Sequence, residues 1–411
     1  MTATLSQTAP PLMPVPPDRA PDKQTGGFWP NPTQQLLLRA ALLDGADGRR
    51  AWQEWQEIAD IEVLDTGSFR LLPLLYSNLL RLGVDDPVLP RLKGVYRHFW
   101  FRNQLLFHHM AKLMATFQQA EIPTLVLKGA PYSVLYYQDP AARPMGDFDL
   151  LIRPQDRDRA LAILQAEHWQ PIYYESFAGL TPGYLSYSTS HGFRDPDRRE
   201  LDLHWHLFSF CAAAECDRGF WERSVPLAFG AVATRTLSAG DHLLHACVHG
   251  AAWDEIPPIR WVADALLILR SAAAEIDWLT LLGEARHHQV TVPLRETCHY
   301  LRQRFDAPIP EAFLAGLREL PVIAAEEREF RARTQPLSAR GPLLELWLLH
   351  RQASRWRRRA GVSCPPFTYL RTMQYTAKRA TLAELPLYAA RRGGERLAAG
   401  WHIRFKPKEK I

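Results

Sequence analysis

The sequence predicts an α+β protein in which a small mixed sheet is set between helical N-terminal and C-terminal regions. Three observations carry this. A helical periodicity over 33–120 stops at Pro123, two short strand patterns follow it on either side of a lysine–glycine step, and a hairpin pattern occupies 192–206. The composition allows it: 411 residues are enough for two or three domains, and 47% apolar with 23% charged residues is ordinary for a globular protein.

In chain order, residues 1–27 hold many of the prolines between Thr, Ser and Gln and read as a disordered tail. A helical region is expected over 28–120, where Leu106, Met110, Leu113, Met114 and Phe117 form one amphipathic stripe. Thr124 to Leu127 is a buried-strand pattern ending in Lys128-Gly129, and Pro131 permits a new helix through Tyr132, Leu135 and Tyr136. A loop with Asp139-Pro140 leads to Asp147-Phe148-Asp149-Leu150-Leu151-Ile152. As a strand, its period of two places both aspartates on one face, with Phe148 and Leu150 on the other. A helix over 156–169, capped by Asp156, and a loop over 173–190 come next.

Gly192 to Arg194, the turn residues Asp195-Pro196-Asp197 and Glu200 to His206 then read as a hairpin. Its second strand buries Leu201, Leu203 and Trp205, while Asp202, His204 and His206 share the other face. The sheet core is expected over 121–210 and a helical domain over 211–330, with Ser238 and Asp241 imitating a capping box at Ser238.

Residues 331–411 carry 18 Lys/Arg against four Asp/Glu, within an overall net charge of +5. This basic helical region suits nucleic acid or an acidic partner, and equally a solvated helical surface. No apolar run approaches the ~20 residues of a membrane span, and the N-terminus lacks a signal-peptide pattern. Five cysteines with no CxxC pair argue against a disulfide framework or a structural zinc site, so the expected compartment is the cytoplasm.

The chemistry lies in the aspartates. Two carboxylates a few ångströms apart repel unless a cation sits between them, and hard oxygen ligands suit Mg²⁺, which keeps positions for water and substrate phosphates. Asp-x-Asp alone is weak evidence, because a solvated strand end gives the same pattern. Lys128-Gly129 before it and Asp202 after it strengthen it. Gly129 at a helix start lets a phosphate approach free N–H groups, while Lys128 and Arg143 offer charge to phosphates. His242, His245 and His249 share a helix face and read as core histidines rather than a metal site, and Arg260 with Asp264 as a helix ion pair.

The run Leu127-Lys128-Gly129-Ala130, Tyr136, Asp139-Pro140, Arg143, Met145-Gly146-Asp147-Phe148-Asp149 and Leu201-Asp202-Leu203-His204-Trp205 resembles the uncharacterised nucleotidyltransferases of bacteria, within the polymerase-β-like superfamily. The resemblance implies a nucleotidyltransferase core in which Asp147, Asp149 and Asp202 are catalytic and hold Mg²⁺, with Mn²⁺ as the alternative ion. It places Lys128, Gly129, Ala130, Arg143 and His204 on the nucleotide. Gly129-Ala130 departs from the superfamily's Gly-Gly or Gly-Ser and removes a hydroxyl contact. The implied reaction moves a nucleoside monophosphate from an NTP to an acceptor hydroxyl and releases pyrophosphate. RNA, protein, peptide and small-molecule acceptors all stay open. The competing readings are an idle relative that binds nucleotide or RNA, and an Asp-x-Asp glycosyltransferase, whose fold needs an extended nucleotide-binding βαβ region before the motif.

Overall fold

The computed structural model describes residues 27–335, apart from 173, 187, 212, 230, 231 and 253–255, and beyond them 350, 351, 354, 355, 357, 358, 374, 382–384, 386 and 387. The Pro-rich stretch at 1–27, except Gly27, and most of the basic region at 331–411 lie outside the described residues.

Helices come first, as the periodicity requires: α1 (Pro32–Leu42), α2 (Gly45–Ile58), α3 (Thr66–Phe69), α4 (Leu72–Arg81) and α5 (Leu89–Gln119). The start of α1 is set locally. Asn31 accepts from the Gln34 amide, Gln34 reaches back to the Asn31 amide, and Pro32 occupies the first turn. After α5 come β1 (Thr124–Leu127), α6 (Gly129–Tyr132) running into a π-turn over Ser133–Tyr137, β2 (Asp147–Ile152), α7 (Arg157–Ala166) and β3 (Gln170–Pro171). The chain continues through α8 (Pro182–Leu185), β4 (Ser190–Arg194), β5 (Glu200–His204), α9 (Arg218–Arg223), β6 (Val225–Phe229) and β7 (Val232–Thr236). It then turns helical: α10 (Ala239–Gly250), α11 (Arg260–Ala272), α12 (Trp278–His288), α13 (Thr291–Phe305), α14 (Glu311–Glu319) and α15 (Ala324–Arg333).

The strands form one mixed sheet in the order β3-β4-β5-β2-β1-β7-β6. β2 lies antiparallel to β1 and parallel to β5, and β4–β5 is the expected hairpin. The α+β class therefore holds, but the sheet runs past the expected limit at 210, because β6 and β7 continue it to Thr236. Their signal is weak for a physical reason. β6 carries Pro226, which cannot donate to a ladder and is tolerated because β6 is the edge strand. Within the loop read over 173–190, α8 is a single turn capped by Thr181.

Each face of the sheet has its own core. The α5 stripe, Leu106 to Phe117, packs with Phe148, Leu150, Leu201 and Leu203 and with Leu161 and Leu164 of α7. The opposite face, through Leu125, Leu127 and Leu151, joins one cluster with Leu37 and Leu75 of the N-terminal helices and Leu244, Leu266 and Leu301 of the later ones. The two helical regions thus share a core across the chain. Asp147 and Asp149 begin β2 on this second face.

Two local findings differ from expectation. Cys211 and Cys216 are paired as a disulfide, a single local bond rather than a framework, while Cys247 and Cys298 are free and buried. Asp264 pairs with Arg143 rather than with Arg260. Among the described residues no helix is long and apolar enough to cross a membrane.

Close packing also fixes Gly250, the last residue of α10. A Cβ there would lie 2.2 Å from Cγ and 2.4 Å from Cβ of Trp261, atoms near the root of a buried side chain that cannot swing away. Gly250→Ala is expected to cost about 1–3 kcal/mol through overpacking, read as a lower urea midpoint. An unchanged midpoint would mean that α10 and α11 are not packed this way.

Candidate active site

The ladder brings the acids together. Asp149 stands directly opposite Asp202 in the parallel β2–β5 register, Leu127 opposes Asp149 from β1, and Asp147 faces Glu200 two residues earlier. Both Asp149 and Asp202 project from the same face, so their charges meet.

Two cations answer them. Lys128 Nζ donates to Asp149 Oδ1 at 2.6 Å and lies 4.0 Å from Asp202 Oδ2. His204 Nε2 lies 3.2 Å from Asp149 Oδ1 and 3.0 Å from Asp202 Oδ2. Burial is the strongest influence on His204 and opposes its charge, but Asp202 and Asp149 together outweigh it and raise the imidazole to about 9. Burial likewise opposes the ammonium of Lys128, and Asp149 then Asp202 hold it above its usual range. Against their own burial, Asp149 is kept low by Lys128 and then His204, and Asp202 by His204 and then Lys128. These are two anions and two cations in one cluster, and removing any one leaves a partner uncompensated.

Asp149, Asp202 and His204 each offer an atom within 4.8 Å of the others, the one such group among the described residues. Asp147 stands outside it on the same face, open to solvent. The surrounding protein, and then the like charge of Asp149, push its carboxyl above the usual range. Asp147, Ser190, Gly192, Glu200 and Asp202 line a cleft of about 310 Å³. A larger cavity of about 380 Å³, bordered by Glu329, Arg351, Arg355 and Arg358, shares no residue with it.

The backbone at Lys128 is unusual. Its φ of 50° with ψ −113° is a conformation that glycine favours. A non-glycine residue there is strained by about 1–3 kcal/mol, and such strain collects at functional sites. It turns the chain from β1 into α6 while the side chain reaches Asp149.

The remaining expected nucleotide ligands are placed differently. Gly129 is hemmed in by the protein itself: a Cβ would come within 2.7 Å of Arg143 Nη1 and 2.8 Å of Met145 Cγ. Ala130 is buried in the core beneath the sheet. Arg143 is 6% exposed, donates from Nε and Nη2 to the two oxygens of Asp264 at 2.7 and 2.8 Å, and lies over the Tyr132 ring. That bidentate pair ties the loop before β2 to α11.

Sequence reasoning missed Asn103, which is fully buried on α5. It donates to the carbonyls of Pro140 and Arg143 at 2.6 and 3.0 Å and accepts from the Met145 amide at 3.3 Å. A single Asn inside an apolar helical stripe was the available signal.

Of the three histidines on α10, His242 and His245 are buried. Thr236 Oγ1 donates to the Val126 carbonyl, so it accepts from His242 Nε2 at 3.0 Å, and Nδ1 then accepts from the Tyr136 hydroxyl at 2.8 Å. The ring is a neutral strut between β7 and the π-turn, bonded to hydroxyls rather than carboxylates. Burial lowers His242 to about 3 and holds His245 well below its ordinary value. Because these folded values lie below the unfolded one, the unfolded chain binds more protons as pH falls from about 6.5, and stability is lost through that window. Each ring should steepen the loss by about 1.4 kcal/mol per pH unit. Urea titrations at pH 7, 6 and 5 on the native chain and His242→Gln check this: the variant's slope should be shallower by one ring, and equal slopes would exclude the strut as neutral.

A mixed sheet that sets two carboxylates side by side on neighbouring strands, next to a lysine at the head of a helix, is an arrangement consistent with a nucleotidyltransferase. The chain belongs to the uncharacterised nucleotidyltransferase family, which matches residues 67–306 and so spans the site and its helical supports. No curated protein is significantly similar to it.

Proposed function

We propose that the protein transfers a nucleoside monophosphate from an NTP to an acceptor hydroxyl, with Mg²⁺ held by Asp149 and Asp202 and assisted by Asp147. The observation that supports this most is the cation already seated between the two carboxylates: Lys128 Nζ lies 2.6 Å from Asp149 and 4.0 Å from Asp202. A site that attracts an ammonium and a protonated imidazole to two facing carboxylates is chemically suited to a hard divalent ion. Such an ion would neutralise charge on the phosphates and the leaving pyrophosphate.

The chain's own residues supply the rest. Asp202, kept ionised and nearer solvent than Asp149, accepts the proton of the acceptor hydroxyl. Lys128 is long enough to leave Asp149 for a phosphate oxygen, which makes it a reserve counter-charge for the site before substrate arrives. His204, charged at neutral pH, keeps Asp202 oriented. The helices after the sheet, α10 to α13, pack on the site face through Leu244, Leu266 and Leu301 and are the place where an acceptor would be selected. Mn²⁺ as the alternative ion, the choice of base, and nucleic acid or an acidic partner on the basic C-terminal region belong to the same proposal. The glycosyltransferase alternative has no support: the described residues before β1 are helical, without a βαβ unit.

The test uses NTPs labelled at the α- or the γ-phosphate, incubated with the protein, Mg²⁺ and a cell extract. Retention of α-label and loss of γ-label as pyrophosphate is expected, and the labelled fraction names the acceptor class. Retention of γ-label would make the enzyme a phosphoryl transferase instead.

A further inference from the structure

The arginine that the sequence places on the nucleotide is committed to Asp264, but a second arginine stands close by on α11. Arg260 is the first residue of that helix, and its Nη1 donates to the Pro144 carbonyl at 2.8 Å, three residues before Asp147. Burial and the neighbouring arginines disfavour its charge, and the fields of Asp264 and Asp147 offset them only in part. It sits at a helix N-terminus, whose dipole end is positive. Its charged neighbours include Arg143 and Arg70. Asp264, one turn further on, gives both oxygens to Arg143, and among the described residues Arg260 forms no ion pair. Its guanidinium is held by a single carbonyl. Its field reaches Asp147.

We propose that Arg260 binds the phosphate chain of the nucleotide on the Asp147 side of the site. The inference rests on the nucleotidyl-transfer reading above, since that reading supplies the polyanion. A guanidinium with one corner pinned to a carbonyl keeps the rest of its donor fork for phosphate oxygens, and the pin sets its direction. An anion there also relieves the repulsion between Arg260, Arg143 and the helix end, which favours binding.

Calorimetric binding of inorganic tripolyphosphate at fixed Mg²⁺ tests this on native protein, Arg260→Gln and Arg260→Lys, with melting temperatures recorded alongside. Charge-assisted contacts of this kind correspond to about a 10–100-fold weaker affinity when lost. Arg260→Gln should show that loss at an unchanged melting temperature, Arg260→Lys a smaller one, and KM for NTP should rise more than kcat falls. Equal binding by Arg260→Gln and native protein overturns the proposal, as does no binding by either. If tripolyphosphate binds through Arg260 but no NTP is turned over, the nucleotidyl-transfer reading fails while the anion site stands.

Discussion

Replacing Asp264 by Ala is expected to lower the free energy of unfolding by about 3–5 kcal/mol, because it leaves a buried guanidinium without its partner. Arg143 and Asp264 side chains are 8% and 7% exposed, and the Tyr137 hydroxyl adds a third bond to the same carboxylate at 2.8 Å. Against a total stability of about 5–15 kcal/mol this is a large fraction. The double replacement Arg143→Met with Asp264→Leu should recover most of it, since apolar residues of similar size often substitute for a buried pair. Urea unfolding measures both. A loss below about 1 kcal/mol in the single variant would place the pair in solvent. The same ion pair anchors the loop that leads into β2, so the single variant should also lose activity through displaced aspartates.

Asp202→Asn is expected to reduce turnover by about 10²–10⁴-fold, the range for a general base, and to lower the melting temperature modestly, because one anion leaves the cluster that holds His204 and Lys128. The side chain is 30% exposed and isosteric with its replacement. His204 should be less protonated near neutrality in this variant, because Asp202 is the larger of the two carboxylates that offset its burial. Steady-state rates with a melting curve for each variant check this. Full turnover in Asp202→Asn would remove it from the chemistry.

The strands that carry the acids were legible because their signal is local. The period-two alternation in 147–152 and 200–204 states which face each side chain takes, and the clusters agree: Phe148, Leu150, Leu201 and Leu203 pack on one face and Leu151 on the other. The α5 stripe was legible for the same reason. What pairs across the chain was not. Arg143 meets Asp264 over 121 residues, and Asn103 reaches the Arg143 carbonyl over 40, with no periodicity to announce either contact. Gly129 was readable as a required glycine, although the observed reason is the approach of Arg143 and Met145 rather than space for a phosphate alone. Register decided the finer structure of the site. Because Asp149, not Asp147, falls opposite Asp202, the tight group is Asp149, Asp202 and His204, and Asp147 stands beside it.

The most direct measurement of the central claim is pyrophosphate release from NTP in the presence of the labelled acceptor fraction, with and without Mg²⁺. It should be made on native protein and on the double variant Asp149→Asn with Asp202→Asn. Release that needs Mg²⁺ in the native enzyme and is absent from a folded double variant is the predicted result. Release that persists in the double variant, or that is indifferent to divalent ions, would contradict it.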